Sequence, residues 1–244
     1  MSGIDRRDVL VSAGAALTLA SLTARGANAQ TSSREAILSA MHGLEGIEIP
    51  SAVTVLGTGG SGCWPALLAA MSGVEEILLL DASDVSEDDL GRTFFRLVDI
   101  GRPKAEATAE IISFFRPHVK TTAIKRFVEP GEEDIYFGAV LFDGVDYPPL
   151  NSILPAEAEK RGMRYTQGFY QGLNAGVTDR YYEGTAWEEG GVGPVWPASA
   201  ALSGILQIYS AFSNGMNYFG SPSSLSMSPE VMQEVFLGPD LPTK

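Results

Sequence analysis

Gly57-Thr58-Gly59-Gly60-Ser61-Gly62 satisfies the pattern GxGxxG, and Asp81 stands nineteen residues beyond it. Glycines at this spacing let the chain turn tightly and bring backbone N–H groups against a phosphate, while an acid at the end of the next strand can accept from ribose hydroxyls. The pattern reads as a nucleotide site, and by itself it suits a mononucleotide or a nicotinamide or flavin dinucleotide (NAD or FAD). Arg92 and Lys104 are cations suited to phosphate charge, and Asp143 and Asp146 are two acids after another apolar run. Each has a plainer role available: Arg92 can pair with Asp88 or Asp89, Lys104 can be a solvated residue of a helix's first turn, and both aspartates can form turns. Lys104 follows Pro103 at a helix start, where the dipole opposes a cation, which favours a ligand role. The single cysteine, Cys63, excludes an intrachain disulfide, a CxxC pair and a multi-cysteine zinc site. His42 and His118 stand in no metal or triad pattern.

Strands and helices must hold these residues. Ala52–Leu56 reads as a buried strand, Trp64–Met71 as a helix stopped by Ser72-Gly73, and Glu76–Leu80 as a second strand. Together they spell a βαβ unit with a parallel sheet and a right-handed crossover. Ser33 to about Leu44 has the spacing of a lead-in helix, and Pro103–Phe115 that of another. Thr121–Phe127 and Ala139–Phe142 read as strands, Leu150–Arg161 as a helix, and Arg164–Phe169 as a short strand. Gly172–Gly193 suits turns and a hairpin, and Pro197–Phe212 is the last long apolar helix. The expected fold is α/β and Rossmann-like, a mostly parallel sheet with helices on both faces, a late crossover or hairpin region and an irregular C-terminal tail. A chain of 244 residues, 45% hydrophobic, can build one domain, placed at residues 30–244 with its core at about 50–213 and its tail at 214–244. Its 17 basic against 30 acidic residues give a net charge of −13, which opposes nucleic acid and anionic lipid as partners.

Arg6 and Arg7 precede an uncharged stretch of small and apolar residues from Val9 to Ala24, and Ala27-Asn28-Ala29 lies just before Gln30. This order reads as an export signal over residues 1–29. The apolar run falls short of the roughly 20 residues that span a bilayer, so no stable membrane span is expected. The paired arginines, the modest hydrophobicity and Arg25 resemble a twin-arginine signal, which exports folded proteins, and the expected location is the periplasm.

Five segments carry a family resemblance: Val53–Gly62; Gly73–Asp81; Val85-Ser86 through Leu90-Gly91-Arg92; Asp99-Ile100-Gly101-Arg102-Pro103-Lys104; and Asp143-Gly144-Val145-Asp146. In this order and spacing the chain resembles the ubiquitin-activating-enzyme-like family of ThiF and MoeB type. Gly191–Val195, leading into Ala200–Phe212 with Gln207, resembles that family's late helix after a Gly-Pro turn, so most of residues 50–213 is covered. The resemblance implies an adenylyltransferase that uses ATP and Mg2+ to activate the C-terminal carboxylate of a small carrier protein or peptide. Position by position it implies that Gly57, Gly59, Gly60 and Gly62 cradle the nucleotide and that Asp81 holds the ribose. Arg92 and Lys104 would contact the phosphates and act in catalysis, and Asp146 would place Mg2+. It also implies a homodimer, with Arg34 matching an arginine that some members lend to a neighbouring subunit's site.

The chain departs from that family at several places. Asp89 and Tyr147 stand where the family has asparagine, and Ser83, with Asp84 one place along, where it has a second acid. Asp89 would bring negative charge toward phosphates. With no cysteine in the later half, a thioester or acyl-disulfide step is excluded, and so is the family's paired CxxC zinc site; Cys63 is expected to pack as a small apolar residue. Tyr165, Phe169, Tyr170, Tyr181, Tyr182, Trp187 and Trp196 crowd the stretch where the family places its partner-peptide crossover. Core or hairpin packing is their first reading and a recognition surface the alternative. Three function classes remain: an adenylyltransferase, a non-catalytic binding or assembly module exported with a protein partner, or an NAD or FAD enzyme using the same glycine pattern and Asp81. Export counts toward the second, because the compartment outside the inner membrane is expected to lack ATP.

Overall fold

The computed structural model describes residues 33–40, 46–171, 174–181 and 197–213. Residues 1–29, expected to be an export signal, His42, Tyr182, Trp187, Trp196 and the tail from residue 214 lie outside the described residues. The chain divides into two units, residues 1–42 and 43–244. In the first, Ser33–Ala40 forms helix α1, which carries Arg34.

The second unit is built on a six-stranded sheet in the order β3-β2-β1-β4-β5-β6. The strands are β1 (Ala52–Leu56), β2 (Glu76–Asp81), β3 (Lys120–Lys125), β4 (Val140–Asp143), β5 (Arg164–Gln171) and β6 (Asn174–Thr178). The first five run parallel, and β6 returns antiparallel to β5, within the glycine-rich stretch where a hairpin is expected. Val53 of β1 pairs with Ile77 of β2 on one side and with Val140 of β4 on the other. The chain therefore leaves β1 in one direction and comes back to its other side at β4, so a crevice opens where their carboxyl ends diverge.

Five helices of this unit are described: α2 (Cys63–Ser72), α3 (Lys104–Phe115), α4 (Pro148–Asn151), α5 (Leu154–Lys160) and α6 (Pro197–Phe212). Alternate residues of a strand point to opposite faces, so β1, β2 and β4, which are apolar almost throughout, need cover on both. Val53, Val55, Ile77, Leu79 and Phe142 pack with Ala66 and Ala70 of α2, Ile112 of α3 and Phe212 of α6. Leu56, Leu78, Leu80 and Leu141 pack with Leu150 of α4 and with Leu154 and Ala158 of α5. Helices thus lie on both faces, as expected of a Rossmann-like sheet.

Leu150–Arg161 is not one helix. Pro155 has no N–H to donate and takes the first turn of α5, so a new helix starts at Leu154 and α4 ends at Asn151. Short 3-10 turns, Glu87–Gly91 and Leu97–Asp99, join β2 to α3. The second is fixed by a buried carboxylate, Asp99, which accepts from Arg96 and Arg102, both also bonded to Glu110 of α3. Among the described residues no helix is long and apolar enough to cross a membrane.

Candidate functional site

β1 runs straight into the glycine turn. Gly57 has φ +76° and donates its N–H to the Leu80 carbonyl at 2.7 Å. A Cβ on Gly62 would stand 1.8 Å from the Gly57 carbonyl oxygen, so the loop closes this tightly only with glycine there. The Cys63 N–H then donates to the Gly59 carbonyl at 2.9 Å and α2 begins, its amino end directed at the crevice. Asp81 stands beside this turn. Its Oδ2 accepts from Thr58 N–H at 2.6 Å and Thr58 Oγ1 at 3.2 Å, and its Oδ1 accepts from Ser83 N–H at 2.8 Å.

A cleft of about 840 Å3, counting the part open to solvent, lies over the turn. Gly59, Gly60, Arg92, Lys104 and Asp146 all line it, so the fold gathers five sequence-predicted site residues from four separate segments. Gly57, Gly62 and Asp81 are outside its wall and build the turn behind it.

Asp89 is the chemical centre of one side. It is fully buried and accepts from Ser86 N–H at 2.9 Å, Ser86 Oγ at 3.0 Å, Arg92 Nη2 at 2.9 Å and Lys104 Nζ at 3.0 Å. Burial alone would raise its carboxyl; the hydrogen bonds from Ser86 and Lys104 outweigh it and hold the group below the usual carboxylate value. The Arg92 pairing considered on the surface is real but withdrawn from solvent, with side chains of Arg92 and Lys104 20% and 13% exposed. Asp89 is thus no bare charge facing the cleft: it aligns two cations, each of which has further donors. Trp64 Nε1, from the first turn of α2, fixes the same loop by donating to the Arg92 carbonyl at 3.1 Å.

The two acids after β4 divide their roles. Asp143 is fully buried and accepts from Tyr165 Oη and Asn151 Nδ2, both at 2.7 Å, and from Val145 N–H at 3.1 Å. Burial pushes its carboxyl up to about 6, against these hydrogen bonds and with a further rise from Asp146. It is the internal post on which the Gly144–Asp146 loop is hung, while Asp146 itself is exposed in the cleft. Tyr147 turns away: its ring meets Phe127 edge-on at 5.0 Å and its hydroxyl faces Glu129 at 3.4 Å.

Other expectations find their places. Cys63 is fully buried and burial pushes its thiol far up, so it packs and presents no thiolate. Gln207 of α6 donates to the Ser61 carbonyl at 2.7 Å, tying the last helix to the glycine turn. Ser83 N–H bonds Asp81, and Asp84 pairs with Lys125. His118 has its pKa lowered, by burial first and Arg116 second, and among the described residues it belongs to no metal cluster. Asn151, Gln167 and Tyr170 line the cleft without having been singled out as site residues. Of these three only Tyr170 carried any signal, as a member of the aromatic crowd to which the cleft-lining Phe169 and Tyr181 also belong.

The protein-family model described as the ThiF family matches residues 35–186. tRNA threonylcarbamoyladenosine dehydratase of Bacillus subtilis is 34% identical over 108 residues, 43% of this chain and 41% of that protein. Molybdopterin-synthase adenylyltransferase of Escherichia coli is 31% identical over 83 residues, 34% of this chain and 33% of that protein. The matches span about two fifths or less of these relatives' own length. Among solved structures, E. coli MccB with ATP shares the fold at a TM-score of 0.56 and 18% identity, over 72% of this chain and 63% of that one. E. coli tRNA N6-threonylcarbamoyladenosine dehydratase, TcdA, does so at 0.56 and 19%, over 66% and 84%. The glycine turn, Asp81, Arg92, Lys104 and Asp146 all fall inside the family match, which covers more than half of the sequence, and the chain belongs to the ThiF family.

Proposed function

We propose that this chain binds ATP in the cleft and transfers its adenylyl group to the C-terminal carboxylate of a small carrier protein or peptide. The observation that carries the reading is the meeting of Gly59, Gly60, Arg92, Lys104 and Asp146 in one cleft at the amino end of α2. In the reaction a carboxylate oxygen attacks the α-phosphorus, the bond to the β,γ-pyrophosphate breaks, and an acyl-adenylate and pyrophosphate result. Arg92 and Lys104 steady the charge that builds on the phosphate oxygens, and the amino end of α2 adds its partial positive charge. No protein nucleophile takes part, in keeping with the inaccessible Cys63.

Mg2+ is usually held by one or two carboxylates together with substrate phosphates, and Asp146, the exposed acid of the cleft, suits that mode. When bound, the ion would neutralise phosphate charge. Among the described residues no cluster of three acids, histidines or cysteines offers a metal site independent of substrate.

Purified protein with a candidate carrier should exchange labelled pyrophosphate into ATP. Absence of both exchange and ATP binding would end this reading. The second reading is a non-catalytic binding or assembly module, supported by Asp89, which neutralises one of the two phosphate-facing cations; it expects ATP binding without exchange. A bound chromophore after purification would instead favour NAD or FAD.

We further propose that residues 1–29 direct the folded protein to the periplasm by the twin-arginine route, so that a ligand or partner is acquired before export. Replacing Arg6 and Arg7 by lysine should leave the protein in the cytoplasm. A homodimer is part of the same proposal, and sedimentation of the purified chain tests it.

A further inference from the structure

Tyr170 of β5 is 8% exposed, and its ring packs with Ala175 of β6, Ala200 and Leu202 of α6 and Trp64 of α2. These three elements fix where its hydroxyl points. A Cβ built on Gly60 would meet that hydroxyl at 1.8 Å, so the phenol oxygen rests against the glycine turn inside the cleft. Among the described residues nothing hydrogen-bonds it; its charged neighbours are Arg92 and Asp89, and the Asp89 oxygens are already engaged by Ser86, Arg92 and Lys104. Burial above all pushes the phenol up to about 12, so at neutral pH it keeps its proton and is a donor. The donor is held facing the cleft without a protein acceptor among the described residues, beside a helix amino end and two cations, surroundings that attract an anion.

We infer that Tyr170 is a ligand-contacting residue, its hydroxyl donating to a phosphate oxygen of the nucleotide beside Gly60. The inference rests on the nucleotide reading above and adds to it a residue outside the motifs of the family resemblance. It also gives Gly60 a reason of its own: any side chain there would displace the phenol from the cleft.

Calorimetric titration of the full chain and of Tyr170→Phe with ATP, pyrophosphate and adenosine tests it. Removing a hydrogen bond to a charged group should weaken ATP and pyrophosphate binding about tenfold or more, with adenosine binding and the melting temperature unchanged. Equal ATP affinity in the two proteins, or equal loss for ATP and adenosine, would overturn the inference and leave Tyr170 a packing residue. Tighter ATP binding by Tyr170→Ala would overturn it in favour of a blocking residue. If the wild-type chain binds neither ATP nor pyrophosphate, the nucleotide reading fails first and the inference with it, an outcome distinct from failure of Tyr170 alone.

Discussion

Lys104 Nζ lies 3.0 Å from the carboxylate of Asp89, a residue with no solvent exposure at all, and Arg92 joins the same carboxylate at 2.9 Å. The two cations that face the cleft are therefore held by one buried anion, and that arrangement couples the stability of the loop to the charge of the site.

Asp89→Asn removes the anion while preserving an acceptor for Ser86. Breaking a buried ion pair costs about 3–5 kcal/mol, and the retained Ser86 bonds place this variant at the lower end, about 3 kcal/mol by denaturant unfolding. With both cations released, ATP should bind several-fold more tightly at low salt, with a steeper dependence on ionic strength. Unchanged salt dependence would show that Asp89 does not set the charge of the cleft.

Lys104 and Arg102 lie two residues apart and should behave differently. On the adenylation reading, Lys104→Ala removes a donor to the phosphates and should lower pyrophosphate exchange about 100-fold. Arg102 binds Asp99 and Glu110 outside the cleft, with its side chain 36% exposed, so Arg102→Ala should leave exchange near the wild-type rate. Similar losses in both variants would place the phosphates elsewhere.

Asp143 should make stability depend on pH. Its carboxyl is raised to about 6 in the folded chain from an ordinary value of 3.8, so protonation favours the folded state. Its contribution is complete below the unfolded value and is lost as pH rises through about 6. Asp143→Asn does not titrate, so the variant should gain on wild type by about 3 kcal/mol between pH 3 and pH 7, measured by urea unfolding without divalent cations. Parallel pH profiles for the two proteins would refute the assignment.

Gly62→Ala tests the turn. Its Cβ would meet the Gly57 carbonyl oxygen at 1.8 Å, and backbone cannot swing aside as a side chain can. A loss of about 3 kcal/mol is expected, with ATP binding abolished, whereas Gly59→Ala, where a Cβ meets nothing within 4 Å, should fold normally.

The βαβ unit was legible in the sequence because its signals are local: a β-branched run, glycines and a second apolar run. Arg92, Lys104 and Asp146 were legible as a set through motif order, and the fold brings them to one cleft. The burial of Asp89 was not, since an acid beside an arginine on a short turn looks the same in sequence whether it faces water or the interior. Tyr170 depends on contacts with Gly60, Trp64 and Ala200, residues far from it in the chain, and no local pattern encodes that meeting. Asn151 was hidden for another reason: the segment expected as one helix is two, and Asn151 closes the first of them with its amide on Asp143.

The bond from Thr58 N–H to Asp81 has a kinetic meaning. Ordering a backbone residue costs about 1–2 kcal/mol, and here that cost is met during folding, before any nucleotide arrives. Encounter should then be followed by no slow rearrangement of the glycine turn, and the observed association rate should climb in proportion to ATP concentration without reaching a plateau.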